Sequence, residues 1–272
     1  MKIPAKLTRG VAAAALVLPL TMAAVASPAS ATTVLADWRG PFPPGYGPGG
    51  GYGYGYGYGM QQYSAYTSLD TGEATADQSA GLVDITSTLE YGAGVAAGTG
   101  MVIGSDGLVV TNHHVVEGAT AISVTDDTTG REYDAEVLGE DAAKDVAVLQ
   151  LADASGLTTV TTAPGGVTTG DAVTAVGDAG GDGGSLTAAP GTVTDLHHPI
   201  TVRDDVTGQD VRLHNLIEVS SDVVPGDSGG ALLDADGEVV GMTVAASSGF
   251  DVTGYVIPIG RVLRVVDTVL TG

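Results

Sequence analysis

The stretch Pro225-Gly226-Asp227-Ser228-Gly229-Gly230 places a serine between glycines. Small neighbours let a substrate carbonyl approach the hydroxyl of Ser228, and they leave backbone N–H groups free to bind a developing oxyanion. A serine hydroxyl is a weak nucleophile until a base removes its proton. The stretch therefore predicts a nucleophile only if the rest of the chain supplies a base and a group that orients that base.

Two of the five histidines, His113 and His114, closely follow the predicted strand Leu108–Thr111, where a side chain can be held rigidly at a cleft. Asp145 heads a strongly apolar run, and a carboxylate there is a candidate to orient an imidazole and stabilise its protonated form. Because the chain has 32 acidic residues, an ordinary charge at a strand edge is the alternative for Asp145.

The first 80 residues are not typical of a folded domain. Lys2, Lys6 and Arg9 precede a short apolar run and the sequence Ala29-Ser30-Ala31, which predicts a secretory signal peptide over residues 1–31. An uncleaved membrane anchor is the alternative, but the run is shorter than the roughly 20 residues of a spanning helix. Residues 32–80, rich in Gly, Pro and Tyr, favour a disordered tether, either a passive spacer or a segment for wall contact or self-association.

Charge and cysteine content narrow the partners and the compartment. The net charge of −22 argues against nucleic acid or an anionic membrane as a partner, and we expect no stable membrane insertion after signal cleavage. Without cysteine the protein forms no disulfides and depends on its core. We expect a protein that is secreted or held at the cell envelope.

Residues 81–272 are expected to form one folded, all-β domain. About twelve short runs rich in Val, Ile, Leu and Thr, separated by Gly, Asp and Pro, are typical of barrels or sandwiches. The runs are Leu82–Leu89, Gly100–Ile103, Leu108–Thr111, Ala121–Thr125, Tyr133–Leu138, Val146–Leu151, Ala172–Val176, Thr192–Leu196, Leu216–Val219, Ala231–Leu233, Val239–Ala245 and Tyr255–Ile257. After Pro258 the apolar spacing predicts a C-terminal helix that packs on the last barrel.

Three segments together resemble the motifs of trypsin-like serine proteases, and most of all the bacterial HtrA/Deg-type branch. They are Thr111-Asn112-His113-His114-Val115-Val116, Asp145-Val146-Ala147-Val148-Leu149 and Pro225-Gly226-Asp227-Ser228-Gly229-Gly230. The resemblance runs from roughly Val83 to Val266 and implies two six-stranded antiparallel β-barrels with the active site between them. It implies a serine endopeptidase that acts on polypeptides and needs no cofactor. HtrA-type proteins usually carry a PDZ domain after the protease, and we expect none here.

The resemblance also implies a role for each residue of the site. Ser228 attacks the peptide carbonyl, His114 takes its proton and passes it to the leaving amine, and Asp145 orients His114. The N–H groups of Gly226 and Ser228 form the oxyanion hole, with the N–H of Asp227 nearby. His113 stands where the family commonly has asparagine, and we expect it to be a bystander. A catalytically silent binding or cell-surface module is the alternative, which the three filled catalytic positions disfavour.

Asp227 and the substrate-binding residues leave alternatives open. HtrA-type enzymes usually have asparagine at the position of Asp227, whereas the trypsin branch has an aspartate that accepts an ion pair; Arg203 and Arg212 are possible partners. Asp222 is either the base of a primary pocket for Lys or Arg or a structural residue, in which case the family default is a small or medium aliphatic residue. Thr243-Val244-Ala245 is expected to pair with the substrate backbone.

Two other interpretations of these motifs are weaker. The spacing of Gly226, Ser228 and Gly230 also fits the nucleophile elbow of α/β-hydrolases, but that site needs a later histidine and none follows Ser228.

We predict no metal site. The adjacent His197 and His198 would point to opposite faces of a strand, and the glycine-rich loop with Asp178 and Asp182, which could hold calcium, is better interpreted as a solvated loop.

Overall fold

The structure, a computed structural model, describes residues 71–89, 94–181, 183–203, 210–246 and 253–272. The predicted signal peptide and most of the predicted tether lie outside the described residues. Residues 71–80, the end of that tether, are folded onto the domain: β1 (Gly72–Glu73) pairs with the strand Thr187–Arg203, and α1 (Ala76–Ser79) follows. Thr75 caps α1 through a reciprocal pair of hydrogen bonds with Gln78, a local signal that composition does not reveal.

The next six strands form a closed antiparallel barrel in the order β2-β3-β4-β7-β6-β5. Their bounds are β2 (Leu82–Leu89), β3 (Val95–Gly104), β4 (Leu108–Thr111), β5 (Ala119–Asp126), β6 (Arg131–Asp141) and β7 (Val146–Leu151). The bounds predicted for β2, β4 and β7 agree with the structure residue for residue. Val, Ile and Leu side chains at alternate positions, such as Val83, Ile85 and Val109, fill the interior.

A second antiparallel ring follows in the order β9-β10-β13-β12-β11-β8. Its strands are β8 (Ala172–Gly177), β9 (Thr187–Arg203), β10 (Asp210–Val219), β11 (Ala231–Leu233), β12 (Val239–Ala246) and β13 (Gly254–Pro258). Pairing of β8 with β9 joins the two ends of the row and closes the ring, while β1 adds to β9 from outside. The predicted all-β fold of two six-stranded barrels is therefore confirmed.

The two barrels share a buried interface. Met101 and Val110 of the first barrel pack in one apolar cluster with Leu216 and Met242 of the second. The predicted C-terminal helix is present as α3 (Ile259–Thr271). It contacts β12 and β13, as expected, and also β6 and β7, so it packs on both barrels.

Within the described ranges, no helix is long and apolar enough to span a membrane.

Candidate active site

His114 and Asp145 form the half of the site that lies on the first barrel. His114 lies on α2 (His113–Val116), directly after β4, and the buried Asp145 lies between a 3-10 turn and β7. Asp145 has a φ of 55°, a left-handed conformation that aspartate tolerates. Its Oδ1 accepts the backbone N–H of His114 at 3.1 Å, and its Oδ2 lies 2.9 Å from Nδ1 of His114. This pairing favours the proton on Nδ1, which leaves Nε2 able to act as a base.

Asn112 is a positioning residue that the sequence reasoning missed. Its buried side chain donates from Nδ2 to the backbone oxygen of Asp145 at 3.0 Å. Asn112 occupies the N-cap position of α2 but makes no capping hydrogen bond there. The start of α2 therefore holds Asp145 through both its carboxylate and its carbonyl.

His113 points to other partners. Its Nδ1 lies 3.2 Å from Oε2 of Glu140 on β6, and its Nε2 lies 3.7 Å from Oε1 of Glu117. These contacts link α2 to β6, and neither involves Asp145.

Ser228 lies in the turn before β11, next to the helix that carries His114. Its backbone oxygen accepts the N–H of Thr99 at 2.8 Å. A Cβ built on Gly98 would lie 2.8 Å from a methyl group of Val115 and 3.0 Å from the Ser228 oxygen. Because Gly98 has no side chain, Val115 of α2 and the Ser228 backbone oxygen both pack against it. A larger residue at position 98 would push the serine turn and α2 apart.

The backbone of the serine turn leaves two N–H donors available. Within the described residues, the N–H groups of Gly226 and Ser228 donate to no protein acceptor, whereas the N–H of Asp227 donates to Val224 O at 3.1 Å. The Pro225 carbonyl accepts the N–H of Gly180 at 2.8 Å, which fixes the peptide group that also carries the Gly226 N–H. Of the three N–H groups predicted for the oxyanion hole, that of Asp227 therefore already has an acceptor.

Gly226 and Thr99 fix the shape of this turn. Gly226 has a φ of +103°, and a Cβ there would lie 2.0 Å from Asp178 O, so the position requires glycine. The buried Thr99 hydroxyl donates to Gly226 O at 2.9 Å and accepts the Asp178 N–H at 2.9 Å. Thr99 belongs to β3, so a side chain of the first barrel holds the serine turn of the second. The sequence motifs did not indicate this role.

Asp227 is buried within the turn and has no cation partner among the described side chains. It is 5% exposed; Oδ2 accepts the Val224 N–H at 2.8 Å, and Oδ1 has no hydrogen-bond partner in the described structure. Burial raises the pKa of Asp227 from 3.8 to about 7, and the nearby charge of Asp178 adds to this, against the opposing hydrogen bond from Val224. Arg212 is exposed on β10 and forms no ion pair with Asp227, and the Arg203 side chain lies outside the described residues.

Of the residues predicted to pair with the substrate backbone, Thr243 differs in its surroundings from Val244 and Ala245. Thr243 is fully buried. Its backbone N–H donates to Gly230 O and its backbone oxygen accepts the Gly229 N–H, at 2.9 Å each, so Thr243 supports the serine turn. Val244 O accepts the Ser228 hydroxyl at 3.0 Å. Pairing of β12 with β11 ends at Met242, so residues 244–246 have no strand partner on that side among the described residues.

Asp222 is half-buried between two buried neighbours, Ser221 and Val223. It is Val223 that enters the apolar core of the second barrel: a Cβ on Gly254 would lie 2.8 Å from Val223 and 2.9 Å from Val219. Gly254 therefore packs directly against two buried valines, which leave no room for a Cβ at that position.

Part of the chain is similar to known proteins. Residues 98–242 match the family model of the trypsin-like peptidase domain. The periplasmic serine endoprotease DegP of Escherichia coli K12 is 34% identical over 169 residues, which are 60% of this chain and 34% of DegP. The serine protease Do-like HtrB of Bacillus subtilis is 34% identical over 168 residues, 60% of this chain and 35% of HtrB. The chain thus spans about a third of the length of these relatives.

Solved structures show the same fold. The Rv3671c protease from M. tuberculosis in its active form has a TM-score of 0.63 and 29% identity, over 71% of this chain and 82% of that one. The HtrA-type protease AlgW with a tripeptide has a TM-score of 0.60 and 27% identity, over 71% of this chain and 62% of that one.

Proposed function

The chain belongs to the trypsin-like peptidase family, and on that premise we propose that it is an exported serine endopeptidase with the triad His114, Asp145 and Ser228. The observation that carries the proposal is the pair of contacts from the Asp145 carboxylate to the backbone N–H and Nδ1 of His114. The two contacts fix the orientation of the imidazole and favour the proton on its Nδ1. This is the arrangement that activates a serine.

The proposed reaction uses one proton and two protein groups. Ser228 Oγ adds to the carbonyl carbon of the scissile peptide while Nε2 of His114 takes the hydroxyl proton. The tetrahedral intermediate collapses, the C–N bond breaks, and His114 returns the proton to the leaving amine, which leaves an acyl-enzyme ester. Water then hydrolyses the ester by the same route. In the resting structure the Ser228 hydroxyl donates to Val244 O, so it has to rotate toward His114 before attack.

The N–H groups of Gly226 and Ser228 would stabilise the oxyanion. Loss of one such donor typically lowers turnover by about 10²–10³-fold. Two observations support this assignment over one that includes Asp227: both N–H groups lack a protein acceptor within the described residues, and the N–H of Asp227 already has one.

We infer that the substrate is an extended polypeptide that adds to the open side of β12 at residues 244–246. The resemblance to HtrA-type proteases favours a small or medium aliphatic residue before the cleaved bond. The alternative is that Asp222 selects Lys or Arg. Sequencing of cleavage products from the wild type and Asp222→Asn separates these: a preference for Lys or Arg that disappears in the variant would establish the pocket-base role.

Export is proposed from the signal-peptide pattern, and the name of the E. coli relative places that protein in the periplasm. Amino-terminal sequencing of the protein recovered outside the cytoplasm is expected to begin at Thr32. A protein that stays in the cytoplasm with its first residues intact would contradict this proposal.

The main test compares the wild type with Ser228→Ala, His114→Ala and the neighbouring control His113→Ala. A fluorophosphonate probe should label the wild type and His113→Ala, and both should cleave unfolded casein. Ser228→Ala should do neither, and His114→Ala should lose at least about 10³-fold in rate because no base remains. Absence of labelling in a folded wild-type sample would favour the silent binding module instead.

A further inference from the structure

We propose that Asp195, His198 and Glu218 form a binding site for a divalent transition-metal ion of the zinc type on the outer face of the second barrel. Nδ1 of His198 lies 2.9 Å from Oε2 of Glu218 and 3.5 Å from Oδ2 of Asp195. One ligand atom from each residue lies within 4.8 Å of the other two. Three atoms bound tetrahedrally at about 2.1 Å from one ion would be about 3.4 Å apart, so this triangle needs little adjustment.

A bulge in β9 brings these side chains to one face. Residues three apart on a regular strand point to opposite faces, so Asp195 and His198 would normally diverge. Here Leu196 pairs with Ile217 and His198 pairs with Leu216, which leaves His197 as an extra residue with a φ of 63°. Skipping one residue places Asp195 and His198 on the same face.

Glu218 completes the set from the neighbouring strand. It pairs directly with Asp195 across the β9–β10 ladder, so the two carboxylates share that face. The hydroxyl of Thr194 donates to Oε1 of Glu218 at 3.0 Å, which leaves Oε2 directed at His198. An outer hydrogen bond that orients a ligating carboxylate is typical of metal sites.

The donor chemistry favours a metal ion over a simple hydrogen-bond cluster. A single imidazole N–H serves one acceptor well, and the second carboxylate lies at the limit of hydrogen-bond distance. The Asp195 side chain is 61% exposed, and its Oδ1 accepts the Leu196 N–H at 2.8 Å, which holds Oδ2 beside the imidazole. One nitrogen and two carboxylate oxygens, with an open side for water, suit Zn²⁺ and its neighbours Co²⁺ and Ni²⁺.

The site is separate from the proposed catalytic residues, and the sequence reasoning missed it because it assumed a regular strand. Glu218 lies near the end of β10, from which the chain continues into the segment that carries Ser228. An ion at this site would fasten β9 to β10 at the base of that segment.

Isothermal titration of the full chain with Zn²⁺, in a Ser228→Ala background to prevent self-cleavage, tests the proposal. We expect one bound ion, at least tenfold weaker binding in His198→Asn and in Glu218→Gln, and weakening of about tenfold in Thr194→Val. The matched control is His197→Asn, which removes the adjacent imidazole while asparagine tolerates the left-handed conformation; it should bind like the parent.

Visible absorption of bound Co²⁺ gives a second readout, and the band should be lost in His198→Asn and kept in His197→Asn. No bound ion in the parent would overturn the proposal. So would binding that survives in folded His198→Asn, since that ion would sit elsewhere, for example at His114 and Asp145. Equal loss of metal binding in His197→Asn and His198→Asn would also overturn the proposal, because the loss would then come from a change in the β9 bulge and not from removal of a ligand.

Discussion

Replacing Asp227 by asparagine should make the protein's stability less dependent on pH. The folded protein holds the Asp227 proton more tightly than the unfolded chain does, because burial raises the pKa from 3.8 to about 7. The stability from this group is therefore complete below the unfolded pKa and is lost as pH rises through the folded pKa. Between pH 5 and pH 7 the wild type should lose about 1.4 kcal/mol per pH unit, or about 3 kcal/mol in total. Asparagine keeps the shape and has no proton to lose.

Urea unfolding at pH 5 and pH 8.5, in the Ser228→Ala background, measures the effect; lower pH is avoided because the sequence pI is about 4.1. The stability of Asp227→Asn relative to its parent should rise by about 3 kcal/mol over this range, a midpoint shift of about 1–2 M urea. Asp236→Asn, at an exposed turn, is the control and should change by less than about 0.5 kcal/mol. If the Asp227→Asn difference is the same at both pH values, the argument from burial is refuted.

Three further substitutions test the parts of the site and its support. Gly226→Ala should lower turnover by at least about 10²-fold, because the new Cβ would collide with Asp178 O and move an oxyanion donor; near-normal casein cleavage would contradict this. Thr99→Val removes two buried hydrogen bonds and should reduce unfolding free energy by about 1–3 kcal/mol and turnover with it, whereas Thr99→Ser should retain both, as measured by urea unfolding and casein cleavage. Val262→Ala, at a fully buried position of α3, should cost about 1–3 kcal/mol in urea unfolding, against less than about 0.5 kcal/mol for Leu270→Ala at 55% exposure; equal losses would mean that α3 does not pack as described.

The fold was largely predictable because short apolar runs and turn residues carry the barrel pattern locally. The predicted bounds of β2, β4 and β7 agree with the structure because glycine or polar residues flank β2 and β4 on both sides and Asp145 marks the start of β7. β9 was predicted as Thr192–Leu196 but extends over Thr187–Arg203, since Pro190, Gly191 and Pro199 interrupt the strand pattern in the sequence on both sides of the predicted run. β1 has two exposed residues, and no apolar pattern could indicate it.

The site was predictable only where it follows a motif. Motif order singled out His114, Asp145 and Ser228, and the structure brings His114 and Asp145 into contact. Thr99 and Asn112 act through hydrogen bonds to distant backbone atoms; Thr99 lies outside the motifs, and the motif that contains Asn112 does not show which atom its side chain binds. The state of Asp227 depends on burial and on the absence of a cation partner among the described residues, which are properties of the assembled barrels.

The division of the site between the two barrels has a consequence while the chain is still being synthesised and folded. The first barrel supplies His114 and Asp145, and the second, made later in synthesis, supplies Ser228. The turn around Gly226 is in addition held by the Thr99 hydroxyl of the first barrel, so this contact needs both barrels to be folded together. On the proposed mechanism, a nascent or partly folded chain has a base without a nucleophile, or a nucleophile without an oxyanion hole. Such a chain cannot digest its neighbours, so the architecture itself delays proteolysis until folding is complete.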